Sequence, residues 1–164
     1  MKRLVSVFLC LLFTVALGGC SNRDSSSQKD LTADMFSLSQ KMMQADETLP
    51  IMMTYTDKDD ENGSKLRRHF GLNRTKTNAY FFSCEESENT HEISVLEMKS
   101  SQDTPAAEEA LKKHAESLSK QFSDSKEKKA RVDKAIVTSK GRYTALIICD
   151  KPSEVQKAFD AAIQ

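Results

Sequence analysis

Residues 132–149 read VDKAIVTSKGRYTALIIC, and this stretch decides the fold class. Two runs rich in β-branched and aliphatic residues, Val132–Ser139 and Tyr143–Cys149, flank Lys140-Gly141. Gly141 supplies the positive φ that a tight reversal needs, so the spacing predicts an antiparallel hairpin. Leu146-Ile147-Ile148-Cys149 is continuously apolar, which predicts an interior strand covered on both faces. Just downstream, Ser153 and Gln156 have capping-box spacing, and Val155, Ala158, Phe159, Ala162 and Ile163 form the apolar stripe of a C-terminal helix.

Working upstream, Ser123–Lys129 (SDSKEKK) reads as solvated charge closing a long helix. That helix carries Ala107, Leu111, Ala115, Leu118 and Phe122 on one face, and Thr104-Pro105 predicts its start, with Thr104 as cap. Thr77–Cys84 (TNAYFFSC) and Glu92–Lys99 (EISVLEMK) predict a second antiparallel hairpin around the acidic loop Glu85–Thr90. Ser64–Phe70 predicts a short helix capped by Ser64 and closed by Gly71. Asp57–Gly63 is a charged loop, and Ile51–Tyr55 (IMMTY) is ambiguous between strand and helical turn. Leu31, Met35, Leu38 and Met42, widened by Phe36 and Met43, predict an amphipathic helix over Thr32–Ala45, capped by Thr32 or Asp30. The expected fold is therefore α+β. A small antiparallel sheet of two hairpins in ββαββα order packs against a long central helix and a C-terminal helix, preceded by an N-terminal amphipathic helix, in one domain over residues 31–164.

The chain has 164 residues, 24 Lys+Arg against 24 Asp+Glu, four Cys and no Trp. That length suits one domain and is too short for a two-lobed solute-binding protein or an enzyme with a separate cofactor domain. Without a basic excess to neutralise phosphates, no nucleic-acid partner is expected.

Residues 1–30 carry an address. Lys2 and Arg3 precede an uncharged apolar run, Leu4–Leu17, of 14 residues. A membrane span needs about 20 such residues, so the run fits the apolar core of a secretory signal. Leu17-Gly18-Gly19-Cys20 resembles a bacterial lipobox. That resemblance implies a signal peptide over 1–19, a diacylglyceryl group on Cys20, and Cys20 as the first mature residue. The alternative is an uncleaved anchor in which Cys10 and Cys20 are ordinary thiols. Two acyl chains hold far more firmly than one. Residues 20–30 then form the lipidated cysteine and a Ser-rich tether, and its nine residues 21–29 reach roughly 15–18 Å as a flexible coil. Losing Lys2 and Arg3 with the signal leaves 22 basic and 24 acidic side chains, a net charge of −2. The expected location is the extracytoplasmic face of the cell membrane.

Four short pieces carry a further resemblance: Leu49-Pro50 with Met52 or Met53, His69-Phe70-Gly71-Leu72, Glu92-Ile93-Ser94-Val95, and Gly141-Arg142-Tyr143. Together they resemble the domain of unknown function 4358 family, found on small lipoproteins of Gram-positive bacteria. The resemblance spans roughly residues 31–160. It departs at Lys126–Ala130, where a tyrosine-proline pair expected after the long helix is missing. The resemblance implies the fold and the address, and no chemistry.

The residues themselves offer little catalytic or cofactor chemistry. His69, His91 and His114 lie in different elements, without zinc-ligand spacing. His114 reads as a boundary residue of the long helix. A calcium loop starting at Asp57 would put Asn62 where Gly is needed and Arg68 where a bidentate Glu belongs. Five methionines (Met35, Met42, Met43, Met52 and Met53) crowd one segment, and they read as adaptable packing or contact surface ahead of soft metal ligands. Glu92 opens a strand and is expected to pair with Arg142 or Lys134. Cys84 and Cys149, with 64 residues between them, either form a disulfide outside the cytoplasm or stay as two buried thiols, the latter favoured in an anaerobic host. No catalytic, cofactor-binding or metal residue is assigned, and no cofactor is expected.

Three functional readings follow. The first is a non-catalytic lipoprotein binding an envelope protein or wall component, with an exposed apolar or Met-rich patch over Met42–Met53 or on an open sheet face. The second is a small-ligand or metal carrier with a concave pocket. The third, with least support, is an envelope-acting enzyme.

Overall fold

The computed structural model describes residues 31–85 and 90–164. The lipobox Leu17-Gly18-Gly19-Cys20, the tether, the possible cap Asp30, and Glu86 and Glu88 of the acidic loop lie outside the described residues.

The long apolar runs become the middle of a five-stranded antiparallel sheet. In chain order its strands are β1 (Met52–Thr56), β2 (Thr77–Glu85), β3 (Glu92–Met98), β4 (Ile136–Lys140) and β5 (Tyr143–Ile148), and in space they run β1-β2-β3-β5-β4. Both expected hairpins form, and β3 pairs with β5 to join them, Val95 facing Ala145 and Ile93 facing Ile147. β3 and β5 are buried at every position, as a doubly covered strand requires.

Helices cover the two faces. On one, α1 (Met35–Gln44) and α5 (Pro152–Ala162) pack over Phe81, Ile93, Val95, Ala145 and Ile147. On the other, α2 (Ser64–Phe70), α3 (Thr104–Gln121) and α4 (Lys126–Val132) enclose Tyr80, Phe82, Leu96, Leu146 and Ile148. Alternate side chains along each strand feed two separate cores. Gly141 turns the β4–β5 hairpin with φ of 59°, a left-handed value costly for any residue with a Cβ. The described N-terminus is tied down beside that turn, where Thr32 exchanges backbone hydrogen bonds with Gln164 at 2.9 and 3.3 Å.

Several local expectations are corrected, mostly because the real cap comes from elsewhere. α1 starts at Met35, since Asp34 accepts from the Ser37 N–H at 2.8 Å, and Thr32 is not its cap. Asp60, and not Ser64, caps α2: its carboxylate takes the Ser64 and Lys65 N–H groups at 2.9 and 2.8 Å. α3 follows a single 3-10 turn (Ser101–Asp103), and the Thr104 hydroxyl donates to the Gly141 carbonyl at 3.2 Å, bracing the hairpin turn. The capping box at Ser153 and Gln156 does not form. Asp46 holds that helix start instead, accepting from the Lys151 N–H at 2.9 Å. Lys126–Lys129 are not solvated coil but open α4, whose last residue, Val132, docks in the α3-side core. Val132 therefore belongs to a helix, and the strand begins at Ile136. Ile51–Tyr55 resolves as strand β1, shifted by one residue.

Candidate functional site

α1 lies over β2 and β3 and leaves the same face of β1 open. Between helix and open strand runs a groove of about 570 Å³. Its helix wall is Met35, Phe36, Ser39, Gln40 and Met43; its floor and far wall are Ala79, Phe81, Thr54 and Thr56. The lining is mainly apolar, with Asp34, Asp57 and Lys58 as charged members. Phe36 is 67% exposed, a large apolar side chain left in water on the helix wall. Its neighbour Leu38 and the next turn's Met42 point the other way, into the core. The helical period thus divides the methionine cluster: Met42 is core, and Met35 and Met43 flank both core and groove. Met52 and Met53 sit on the edge strand, where Tyr55 O–H contacts Met53 Sδ at 3.8 Å.

β1 is one of the two sheet edges and contains no Lys, Arg, Asp, Glu or Pro. Such residues are the usual guards of an open edge. Thr54 and Thr56 share a sheet face with Phe81 and Ser83 through the β1–β2 register. A strand added to that edge would direct alternate side chains toward the groove.

A second concentration of chemistry lies across the sheet, and nothing in the spacing of its members announced it. His69 and His114, on separate helices, come within 6.4 Å ring to ring. Glu92 does not reach Arg142 or Lys134. It accepts from His114 Nε2 at 2.8 Å and from the Ser94 hydroxyl at 2.7 Å, while Arg142 pairs with Glu97 at 2.7 Å. Register explains the difference: Glu92 faces Ile148 and Cys84 on the α3 side, and Glu97 faces Tyr143 on the α1 side. Burial works against charge on His114, but the Glu92 hydrogen bond and charge prevail and hold its pKa above the ordinary value. His69 goes the other way. Burial lowers it, Glu92 only partly compensates, and His114, Arg68 and Lys65 add repulsion.

His91 lies at the same end of the sheet, its Nδ1 3.1 Å from Glu85 and its Nε2 3.7 Å from Asp150, which also pairs with Arg131 at 2.9 Å. Among the described residues, no three His, Cys, Asp or Glu side chains are placed to hold a metal ion.

Cys84 and Cys149 are both free. Cys84 packs at the α3-side core and Cys149 within the α1-side core, so the sheet itself stands between them. Of the two arrangements left open by sequence, the structure has the two thiols. Burial, then the Glu92 charge, push the Cys84 thiol up to about 11. Burial, then Asp46, push Cys149 up to about 12. Neither has the thiolate character of a nucleophile.

The Asp57–Gly63 loop is occupied with its own structure. Besides capping α2, Asp60 accepts from Tyr80 O–H at 2.6 Å, and Asp59 accepts from the Thr56 hydroxyl at 2.7 Å. No described helix is long and apolar enough to cross a membrane.

A family model described as "Domain of unknown function (DUF4358)" matches residues 50–149. No curated protein and no solved structure matches the chain.

Proposed function

From the chain's membership of the DUF4358 family, whose molecular function is open, we propose that this is a lipid-anchored extracytoplasmic binding module of a Gram-positive cell envelope. In this reading residues 1–19 are a signal peptide, Cys20 carries a diacylglyceryl and palmitate-type anchor, and residues 21–30 are the tether. Leu17-Gly18-Gly19-Cys20 after the short apolar run supports that address. The observation that carries the binding function is the apolar groove between α1 and the unguarded edge strand β1. Its occupant is an extended, mainly apolar segment of an envelope protein, pairing with β1 and setting alternate side chains beside Met35, Phe36 and Met43. The protein is non-catalytic, consistent with two cysteines held as thiols.

Two experiments test this. Replacing Cys20 by Ala in the full chain should abolish palmitate labelling and move the protein out of the membrane fraction; retention of both would sink the anchor. A photo-crosslinking amino acid at Phe36 or Met43 should capture an envelope protein that one at Lys112, on the opposite face, does not. Equal capture at both positions would refute the groove as the binding surface.

The groove volume also lies within the range of small-molecule sites, about 300–1,000 Å³. A small-ligand carrier is therefore the second reading. Native mass spectrometry separates the two, because a carrier purified from its source retains extra mass that denaturation removes.

A further inference from the structure

α2 is held to the body of the protein in two chemically different ways. At its start, Asp60 takes the Ser64 and Lys65 N–H groups at 2.9 and 2.8 Å, the Ser64 hydroxyl at 2.8 Å and the Tyr80 hydroxyl at 2.6 Å. These bonds outweigh burial and keep its carboxyl well below the usual carboxylate range, so the clamp stays charged in mild acid.

At its end the helix is held by rings. His69 lies 4.5 Å from the Phe82 ring and 6.4 Å, edge-on, from His114. Phe70 meets Phe82 at 5.6 Å and His114 at 5.2 Å. The charged and titratable groups around His69 are Lys65 and Arg68 of its own helix, His114 of α3 and Glu92 of β3. The Cys84 thiol of β2 and the Tyr55 ring of β1 share that sheet face, and Lys65 Nζ already sits 3.2 Å over the Tyr55 ring.

One carboxylate serves this cluster, and both of its oxygens are engaged. Glu92 Oε2 is taken by His114 and Oε1 by Ser94. A proton on His69 would therefore set a second imidazolium beside the first, with Lys65 and Arg68 nearby and, among the described residues, Glu92 as the carboxylate that faces both rings. Swinging the ring into water relieves that repulsion. We propose that α2 is an acid-released latch: when His69 takes up a proton beside the His114–Glu92 pair, the C-terminal end of α2 lifts from α3 and β2, and the Asp60 clamp acts as the hinge. Gly71, in a left-handed conformation with nothing within 4 Å of where a Cβ would stand, ends the moving segment. Release uncovers Leu66, Phe70 and Phe82, which are buried when the latch is closed.

The test is amide hydrogen exchange on the full chain at about pH 7.5 and about pH 5, corrected for intrinsic rates, in wild type and His69→Phe. Phenylalanine keeps a ring on Phe82 and cannot be protonated. A peptide covering 64–72 should lose protection by about threefold or more relative to one covering β3 in the wild type at the lower pH, and keep it in the variant. Unchanged protection in the wild type, or equal loss in both proteins, overturns the latch. Should the variant misfold, the wild type decides alone. The Leu66 methyl resonances should shift with the same midpoint as the His69 ring proton, and separate midpoints overturn the proposal.

Discussion

Asp46 is the sharpest place to test how the two ends of the chain are joined. It follows α1, is 1% exposed, and accepts from Thr48 N–H at 3.0 Å, Thr48 O–H at 2.5 Å and Lys151 N–H at 2.9 Å, with the Cys149 thiol as a further donor. Burial alone would raise its pKa, but the Thr48 hydroxyl and the two amides overcome that and bring it from 3.8 to about 2. That gap corresponds to about 2 kcal/mol of stability at neutral pH. Because the folded value is the lower one, the contribution is complete above 3.8 and lost as pH falls through about 2. At pH 3, about 1 kcal/mol should remain. Asp46→Asn keeps the shape, loses the charge and turns an N–H₂ group toward donors. Urea denaturation at pH 7 should show the variant about 2–3 kcal/mol less stable, a midpoint lower by about 1–2 M. At pH 3 the difference should shrink to about 1 kcal/mol. A difference below about 0.5 kcal/mol at pH 7, or one that does not shrink in acid, would refute the assignment of Asp46 as an ionised clamp.

The His114–Glu92 pair has the opposite sign. His114 is held above 6.5, so its contribution is complete below 6.5 and lost as pH rises through the folded value. Glu92→Gln should therefore cost about 1–3 kcal/mol near pH 5.5 and less near pH 9, read from denaturant midpoints. Gly141→Ala forces a Cβ into a φ of 59° and to 3.2 Å from Leu31 Cβ; a loss of about 1–2 kcal/mol should appear as a melting temperature lower by about 3–8 °C. Mild oxidation should leave the monomer without a Cys84–Cys149 bond, and native alkylation near pH 8 should spare Cys149. An intact mass showing loss of both thiol hydrogens would contradict the placement of these cysteines on opposite faces.

The hairpins were legible because their signals are local. Gly141 between two β-rich runs states a reversal within a few residues, and Leu146–Cys149 has no place for a solvated face. Two helix starts were not legible, because two aspartates cap from positions that local rules do not weigh. Asp60 reaches Ser64 and Lys65 from four and five residues upstream, and Asp46 reaches Lys151 across 105 positions. α4 escaped notice for a related reason: Lys126–Lys129 has no apolar side chain, and only Val132, at the very end, ties that turn to the core. The partner of Glu92 depended on which sheet face it occupies, a matter of register with β5 and of α3's position above it.

Strand β1 makes the same point for the candidate site. Its sequence was ambiguous because no position is fully buried and none repeats with period two: Met52, Met53, Tyr55 and Thr56 are all half-buried and only Thr54 is exposed. That pattern is what an edge strand covered fully on neither face should show: Tyr55 packs only partly on the α3-side core, and α1 shields β2 and β3 but not β1. The lack of cover that blurred the strand signal also opens the groove beside it. The exposed Phe36 carries the same information from the helix side, being the apolar residue that widens the α1 stripe beyond what the core uses. A stripe wider than its core and a strand without a buried face are, in this chain, two views of one unfilled surface. They place the binding reading on α1 and β1, and not on the better-packed hairpins.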